Sequence, residues 1–110
     1  MTTHQTETIR RLNDLLRTTF LTGRVLLTQG VMALNQADRD AILAKVRAFD
    51  AFTPDNDPHG EHDFGAFDHG GTRVFWKIDY YAPDMQRHSV DPADGAKTRR
   101  VLTVMLAEEY

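Results

Sequence analysis

The sequence predicts an α+β domain in which two helices pack on one face of a small, mostly antiparallel sheet, in the order α-β-α-β-β-β. Two regions with apolar residues at helical spacing predict the helices. Four β-prone runs, two of them joined by a Gly-Gly turn, predict the sheet. Because 110 residues supply one core, we expect a single domain over residues 1–110.

The N-terminal half predicts a helix, a strand and a second helix. Apolar residues recur every three or four positions over residues 6–20, with Arg10, Arg11 and Arg17 on the expected solvated face. The run 25–28 predicts a short strand that is buried on both faces and ends in a turn at Gly30. Asn35 then has the residue type of an N-cap, and an apolar face between residues 37 and 49 predicts the second helix.

The C-terminal half predicts three strands and a long loop. Turn-forming residues at 53–60 end the second helix. The runs 62–68 and 72–81 flank Gly70-Gly71, where glycine permits the positive φ of a tight hairpin. Residues 82–97 are rich in turn formers and predict a loop whose degree of order stays open. We interpret the apolar run 99–106 as a central strand, although its spacing also fits a helix.

Composition restricts the class of protein. The chain has 41% hydrophobic and 26% charged residues, as a globular protein does, and no cysteine for disulfides or thiolate zinc sites. Its apolar stretches are far shorter than the roughly 20 residues of a membrane helix, and its first residues do not resemble a signal peptide. We therefore expect a cytoplasmic protein without a membrane partner. A net charge of −3 disfavours nucleic-acid binding.

Candidate functional residues concentrate in the middle of the chain. Residues 53–94 contain nine acidic and three basic residues, four of the five histidines and all four prolines. Within this segment, five ionisable side chains occupy the seven positions 57–63, with Gly60 among them. This polar cluster consists of Asp57, His59, Glu61, His62 and Asp63, and Asp79 of the run 72–81 completes the set of candidates.

The polar cluster allows three interpretations. In the one we favour, its side chains cap turn amides and form ion pairs, with Asp63 beside an arginine, and the protein has no cofactor. In the second, the loop binds a divalent metal such as zinc, and Glu61 acts as general base. The candidate metal ligands are His59, His62 and Asp63, with Asp57 as an alternative, although their spacing matches no established zinc motif. In the third, a histidine acts as acid or base without metal, oriented by Glu61 or Asp79.

Strand alternation divides the run 74–81 between two faces of the sheet. The face expected against the helices carries Val74, Trp76, Ile78 and Tyr80. The opposite face carries Phe75, Lys77, Asp79 and Tyr81. Aromatic residues beside charges on an uncovered face are typical of a protein interface, so we predict a partner or self-association surface formed by Phe75, Lys77 and Tyr81.

Three longer strings have a distinctive composition: NDPHGEHDFG at 56–65, WKIDYY at 76–81 and RVLTVMLAEEY at 100–110. With them, the chain resembles over nearly its whole length a bacterial family known as domain of unknown function 3768. That resemblance implies no established activity. It implies a small accessory protein of bacterial chromosomes, plasmids and other mobile elements, a setting that includes proteins that bind host machinery and inhibit host defence.

The sequence therefore favours a non-enzymatic protein-binding module whose partner is another protein or a second copy of itself. The alternative is a metal-binding or metal-dependent hydrolytic protein that uses the loop 57–63. The two hypotheses differ in geometry. Catalysis or metal binding needs several polar side chains to converge on one point, whereas a binding module allows them to diverge into separate caps and ion pairs.

Overall fold

The computed structural model describes residues 3–110, and within that range it contains three α-helices and a four-stranded sheet. The helices are α1 (His4–Thr19), α2 (Gln29–Met32) and α3 (Gln36–Ala48). The strands are β1 (Arg24–Leu27), β2 (Phe64–His69), β3 (Thr72–Tyr81) and β4 (Arg99–Leu106). Two 3-10 turns, Gly95–Lys97 and Ala107–Glu109, flank β4. None of the helices in this range is long and apolar enough to cross a membrane.

The sheet has the strand order β1-β4-β3-β2. The hairpin β2–β3 and the pair β3–β4 are antiparallel, whereas β1 runs parallel to β4. The predicted α+β class is confirmed, and so is the interpretation of residues 99–106 as a strand. Since β4 has a neighbour on each side, its continuous apolar run is the pattern of a central strand.

One set of apolar side chains joins the helices to the sheet. The helices contribute Leu16, Val31, Ile42 and Val46 to this core. The strands contribute Val74, Trp76, Ile78, Leu102, Val104 and Leu106. All these strand residues lie on the same face, because Val74 pairs with Leu106, Trp76 with Val104 and Ile78 with Leu102. The helices therefore cover one face of the sheet, as the sequence predicts.

Gly65 allows the largest core side chain to fit. It pairs with Trp76 across the β2–β3 ladder, and a Cβ at position 65 would lie only 2.3 Å from Trp76 Nε1. The indole of Trp76 is fully buried and packs against this glycine. Its Nε1 has no hydrogen-bond partner in the described part of the chain. The glycine that closes the NDPHGEHDFG string therefore has a packing role.

Two local predictions are wrong. Strand β1 is not buried on both faces, because Leu26 lies on the sheet face that no helix covers and is 45% exposed. The expected turn at Gly30 is instead the short helix α2. The carboxylate of Glu109 stabilises the start of that helix by accepting hydrogen bonds from Thr28 Oγ1 at 2.5 Å and from the Gly30 N–H at 2.8 Å. These bonds hold the pKa of Glu109 below its usual range.

Candidate functional site

The polar cluster lies where the loop after α3 crosses α1 and enters the hairpin, and its side chains contact different partners. Glu61 Oε1 accepts a hydrogen bond from the Tyr80 hydroxyl at 2.8 Å. The main-chain carbonyl of Asp63 accepts one from the Ile78 N–H at 2.8 Å, which extends the β2–β3 pairing by one residue. His59 lines an open cleft of about 360 Å³ on the outside of the loop. None of these contacts joins two of the three side chains, although His59 lines its cleft together with Asp57 and His62.

His62 lies between two aspartates and on an aromatic ring. Its Nδ1 is 2.9 Å from Asp14 Oδ1 of α1, and its Nε2 is 3.6 Å from Asp57 Oδ2. The imidazole stacks on Phe52 with the ring centroids 3.7 Å apart. Asp57 also accepts the main-chain N–H of His62 at 3.2 Å, which supports the left-handed backbone of this residue (φ 55°). His62 thus joins the loop to α1.

A buried asparagine connects α1 to the strands. Asn13 is fully buried, and its Nδ2 donates to Tyr80 Oη at 2.7 Å and to the Glu61 carbonyl at 3.0 Å. Its Oδ1 accepts from Arg100 Nε at 2.7 Å. Burial is the main reason why the pKa of Tyr80 is raised, so this hydroxyl acts as a neutral hydrogen-bond donor to Glu61.

Arg17 is buried rather than solvated, so the expectation that it lies on the exposed face of α1 is wrong. Its side chain is 5% exposed and forms an ion pair with Asp14 at 3.1 Å. Nη1 donates to the carbonyls at the end of α3, of which the nearest is Phe49 O at 2.8 Å. Unpaired carbonyls at a helix C-terminus favour a cation, so Arg17 caps α3 from a neighbouring helix.

Sequence reasoning did not identify Asn13, Arg17 and Arg100 as members of a buried polar network. A signal was present for the first two, because position 13 lies four residues after Ile9 and position 17 four residues after position 13, along the buried side of α1. A polar side chain in such an apolar stripe needs buried partners. The sequence does not show which partners these are.

The metal hypothesis requires at least three ligating side chains around one point. Across residues 3–110, no group of three or more histidine, aspartate or glutamate side chains is arranged to hold a metal ion. The expected pairing of Asp63 with an arginine is also wrong, since no arginine nitrogen in this range lies within 4 Å of its carboxylate. Burial and the nearby charge of Glu61 raise the pKa of Asp63. The zinc set His59, His62 and Asp63 stays a prediction.

The sheet face away from the helices, here called the open face, carries the predicted partner surface. Lys77 Nζ and Asp79 Oδ2 form an ion pair at 2.9 Å, which raises the pKa of Lys77. Phe75 lies 5.3 Å from the Phe64 ring and 5.6 Å from that of Tyr110, which is 76% exposed. These four β3 side chains are partly exposed: Phe75, Lys77, Asp79 and Tyr81.

Residues of β4 form the buried floor of the open face. Met105 lies beside Phe75 and is 3% exposed, and Val101 lies beside Asp79 and is 4% exposed. Leu26 extends the apolar area onto β1, opposite Thr103. The open face therefore combines an aliphatic floor with aromatic rings and the central Lys77–Asp79 pair. Further charges lie on the same side nearer its ends, namely the Arg73–Asp68 pair and the side chains of Arg24 and Arg99.

The fold and the open face define a small α+β protein with one helix-covered and one uncovered sheet surface. The chain belongs to the family described as "Protein of unknown function (DUF3768)", whose model matches residues 27–109. This match confirms the family resemblance. No curated protein matches the chain, and no solved structure does.

Proposed function

We propose that this chain is a non-enzymatic, protein-binding accessory module that associates through the open face of its sheet with a second copy of itself. The observation that carries the proposal is the order of side chains along the outward side of β3. Phe75, Lys77, Asp79 and Tyr81 read as aromatic, cation, anion, aromatic. When this row is placed against a second copy running in the opposite direction, each charge meets an opposite charge and each aromatic residue meets an aromatic residue.

In a two-fold symmetric dimer whose axis passes through the face at the position of Ile78, the two rows meet in this way. Two β3 strands that cross the axis in opposite directions place Lys77 of each copy against Asp79 of the other, and Phe75 against Tyr81. Two-fold dimers require such a surface, because the same patch must match itself. Any in-register parallel arrangement would instead place like charges against each other, which is unfavourable.

The charges of the row suit burial in an interface. Lys77 and Asp79 already neutralise each other within one copy at 2.9 Å. Joining two such pairs forms a four-charge network with no net charge, which lowers the desolvation cost of covering it. Four strands about 4.8 Å apart and 4 to 10 residues long give a face of roughly 500 Å² per copy. Covering both faces then buries about 1,000 Å², the lower bound of specific interfaces, so we expect a dimer of moderate affinity.

The family resemblance supports the wider setting of the proposal. It favours an accessory protein of the bacterial cytoplasm, encoded on chromosomes, plasmids or other mobile elements. A protein that works by binding needs a recognition surface rather than a catalytic centre, and the open face supplies one. Inhibition of a host defence protein is an activity of this kind.

Charge exchange on β3 tests the proposal in solution. Sedimentation equilibrium should show a concentration-dependent dimer, and Lys77→Asp should weaken it at least tenfold because aspartates then face each other. Asp79→Lys should do the same for the opposite charge. The double variant Lys77→Asp/Asp79→Lys restores complementarity and should recover the affinity to within about threefold of the original chain.

Two results would overturn this function. One is a chain that remains monomeric up to millimolar concentration, where even a weak specific dimer would be populated. The other is a dimer that neither single charge change affects. Circular dichroism spectra of the three variants serve as the folding control, since both side chains are partly exposed and outside the core.

The metal hypothesis has its own test. Elemental mass spectrometry of untagged protein, with a His59→Ala/His62→Ala double variant as control, measures bound zinc directly. On the structural interpretation, the original chain carries less than stoichiometric metal, and the variant is less stable because the Asp14–His62–Asp57 contacts are lost. Stoichiometric zinc that disappears in the variant would instead establish a metal site in the loop.

A further inference from the structure

A cleft of about 360 Å³ opens beside the loop that joins α3 to β2. Its volume falls within the range of about 300–1,000 Å³ typical of small-molecule sites. Phe52, Pro54 and Pro58 supply apolar surface to its lining. Two groups that accept hydrogen bonds, the Asp57 carboxylate and the His62 imidazole, line it as well.

Asp57 is a buried carboxylate without a positively charged side chain beside it. Its side chain is 6% exposed, and its Oδ1 accepts the main-chain N–H of His62 at 3.2 Å. Within residues 3–110, no lysine or arginine nitrogen lies within 4 Å of this carboxylate. The buried cation Arg17 pairs with Asp14 instead, at 3.1 Å. Because buried charges are normally paired, the Asp57 carboxylate leaves a place for a cation.

The imidazole of His62 presents a second acceptor to the same cleft. Its Nδ1 is 2.9 Å from Asp14 Oδ1, and a carboxylate oxygen only accepts, so Nδ1 carries the proton. In the neutral ring, Nε2 is then an acceptor. It lies 3.6 Å from Asp57 Oδ2, beyond hydrogen-bonding distance, and neither atom has a donor among the described residues. Two acceptors without a donor therefore lie side by side in the cleft.

Contacts within the loop hold this arrangement in place before any ligand enters. The Asp57 N–H donates to the Thr53 carbonyl at 2.8 Å, and the Gly60 N–H donates to the Asp57 carbonyl at 3.1 Å. The imidazole of His62 is stacked on Phe52 with the ring centroids 3.7 Å apart. A site whose groups are ordered in advance loses little conformational entropy on binding.

We infer that this cleft binds the protonated amino group of a small molecule, with the Asp57 carboxylate as counter-charge and His62 Nε2 as a second acceptor. An ammonium group supplies a positive charge and N–H donors, which are the two things that this pair of acceptors lacks. The apolar part of the ligand lies against Phe52 and the loop prolines. The segment 53–94 has nine acidic and three basic residues, which favours a cation over an anion in this part of the molecule.

Benzylamine is the probe for the test. It is added to the full chain at constant ionic strength and in the presence of EDTA, so that neither general screening nor a bound metal contributes. In a two-dimensional NMR titration, amide signals of residues 52–62 should shift and reach saturation. Benzyl alcohol has nearly the same shape but no charge, and it should bind at least tenfold more weakly.

A pair of variants isolates the charge of Asp57. Asp57→Asn removes the charge but keeps an oxygen that can accept the His62 N–H, and it should bind benzylamine at least tenfold more weakly. Asp55→Asn changes the net charge by the same amount at an exposed position of the same loop, outside the cleft lining. It should bind within twofold of the original chain.

Each of three binding results would overturn the inference: no saturable shift in the loop, equal affinity for benzyl alcohol, or unchanged binding in Asp57→Asn. Ring ¹⁵N shifts that show His62 as an imidazolium in the free protein would also overturn it, because Asp57 would then have its counter-charge. A lysine-containing peptide that binds tenfold more tightly than benzylamine would assign the cleft to a partner protein instead. The comparison of the two probes uses the original chain and is decisive even if Asp57→Asn does not fold.

The amine site stands apart from the proposed dimer. The cleft is lined by Thr6 and by residues 52–62 of one chain, whereas the dimer uses the open face. Lys77→Asp, which is designed to separate the copies, should therefore retain benzylamine binding within twofold. Failure of either proposal leaves the other intact.

Discussion

The two faces of the sheet come from the same strands but differ in what covers them. On the helix-covered face, Val74, Trp76 and Ile78 are each at most 4% exposed. On the open face, the residues between and beside them remain partly exposed: Phe75, Lys77, Asp79 and Tyr81. Strand β3 thus has one side packed as a protein interior and one side of intermediate polarity.

The two faces differ in the charges they carry. Strand β3 has no charged side chain on its inner side, which the helices cover and where an unpaired buried charge is costly. The outer side keeps a cation and an anion, paired at 2.9 Å, between two aromatic rings. Side chains of this mixed kind are compatible both with contact to water in the free protein and with burial against a partner, as a reversible interface requires.

The largest expected effect is on the helix-covered face. Trp76→Ala should destabilise the fold by about 3–5 kcal/mol, because it removes a fully buried indole from the centre of the core. Urea unfolding measures this change. In the same assay, Tyr81→Ala on the open face should cost much less. Equal losses at the two positions would contradict the distinction between the faces.

The buried polar network should rank second. Asn13→Ala removes the acceptor of Arg100 Nε and a donor to Tyr80 in a site without access to solvent. Leaving such groups unpaired should cost about 1–3 kcal/mol in urea unfolding. Asn35→Ala, an exposed helix cap on α3, is a suitable comparison and should cost about 1 kcal/mol. A neutral Asn13→Ala would show that the network contributes little.

A pH-dependent effect is expected at Asp63, where the loop enters β2. Its folded-state pKa is raised, so the folded chain favours the protonated carboxyl. That contribution is present below the unfolded pKa and is lost as the pH rises through the folded value. Asp63→Asn should therefore stabilise the protein at pH 7, where the original carboxyl group is ionised in a site that disfavours its charge. Thermal unfolding at pH 7 and at pH 3 should show the gain only at pH 7; a loss at pH 7 would contradict it.

The smallest effect on folding should come from the charged pair itself. Lys77→Ala removes a partly exposed ion pair, which is worth at most about 1 kcal/mol to the monomer. Urea unfolding at a concentration below the dimer dissociation constant isolates this contribution. A loss as large as that of Trp76→Ala would mean that the open face stabilises the fold rather than a partner.

Sequence periodicity predicted the elements whose causes are local. Alternation in β3 assigned its residues to the correct faces, and the Asn35 cap marked the start of α3. Helix α2 was not predicted because its stability depends on Glu109, which is 79 residues distant from Gly30 along the chain. The edge position of β1 likewise depends on pairing that its four residues do not reveal.

Local patterns likewise predicted only one part of the candidate site. The row on β3 follows from strand alternation alone, so its members were identified. The contact of His62 with Asp14 and the contacts that Asn13 makes with the loop and the strands join positions 48 to 87 residues apart, which no local pattern encodes.

Disulfide trapping tests the central claim most directly, because the chain has no cysteine of its own. The predicted dimer places position 77 of one copy against position 79 of the other, while like positions are offset by about 7 Å along the strand. A mixture of Lys77→Cys and Asp79→Cys chains should therefore form a mixed disulfide, since a disulfide needs Cβ atoms about 4 Å apart. Each variant alone, and either variant mixed with Arg11→Cys, should cross-link much less. Equal cross-linking in all mixtures, or none in the first, would contradict the account.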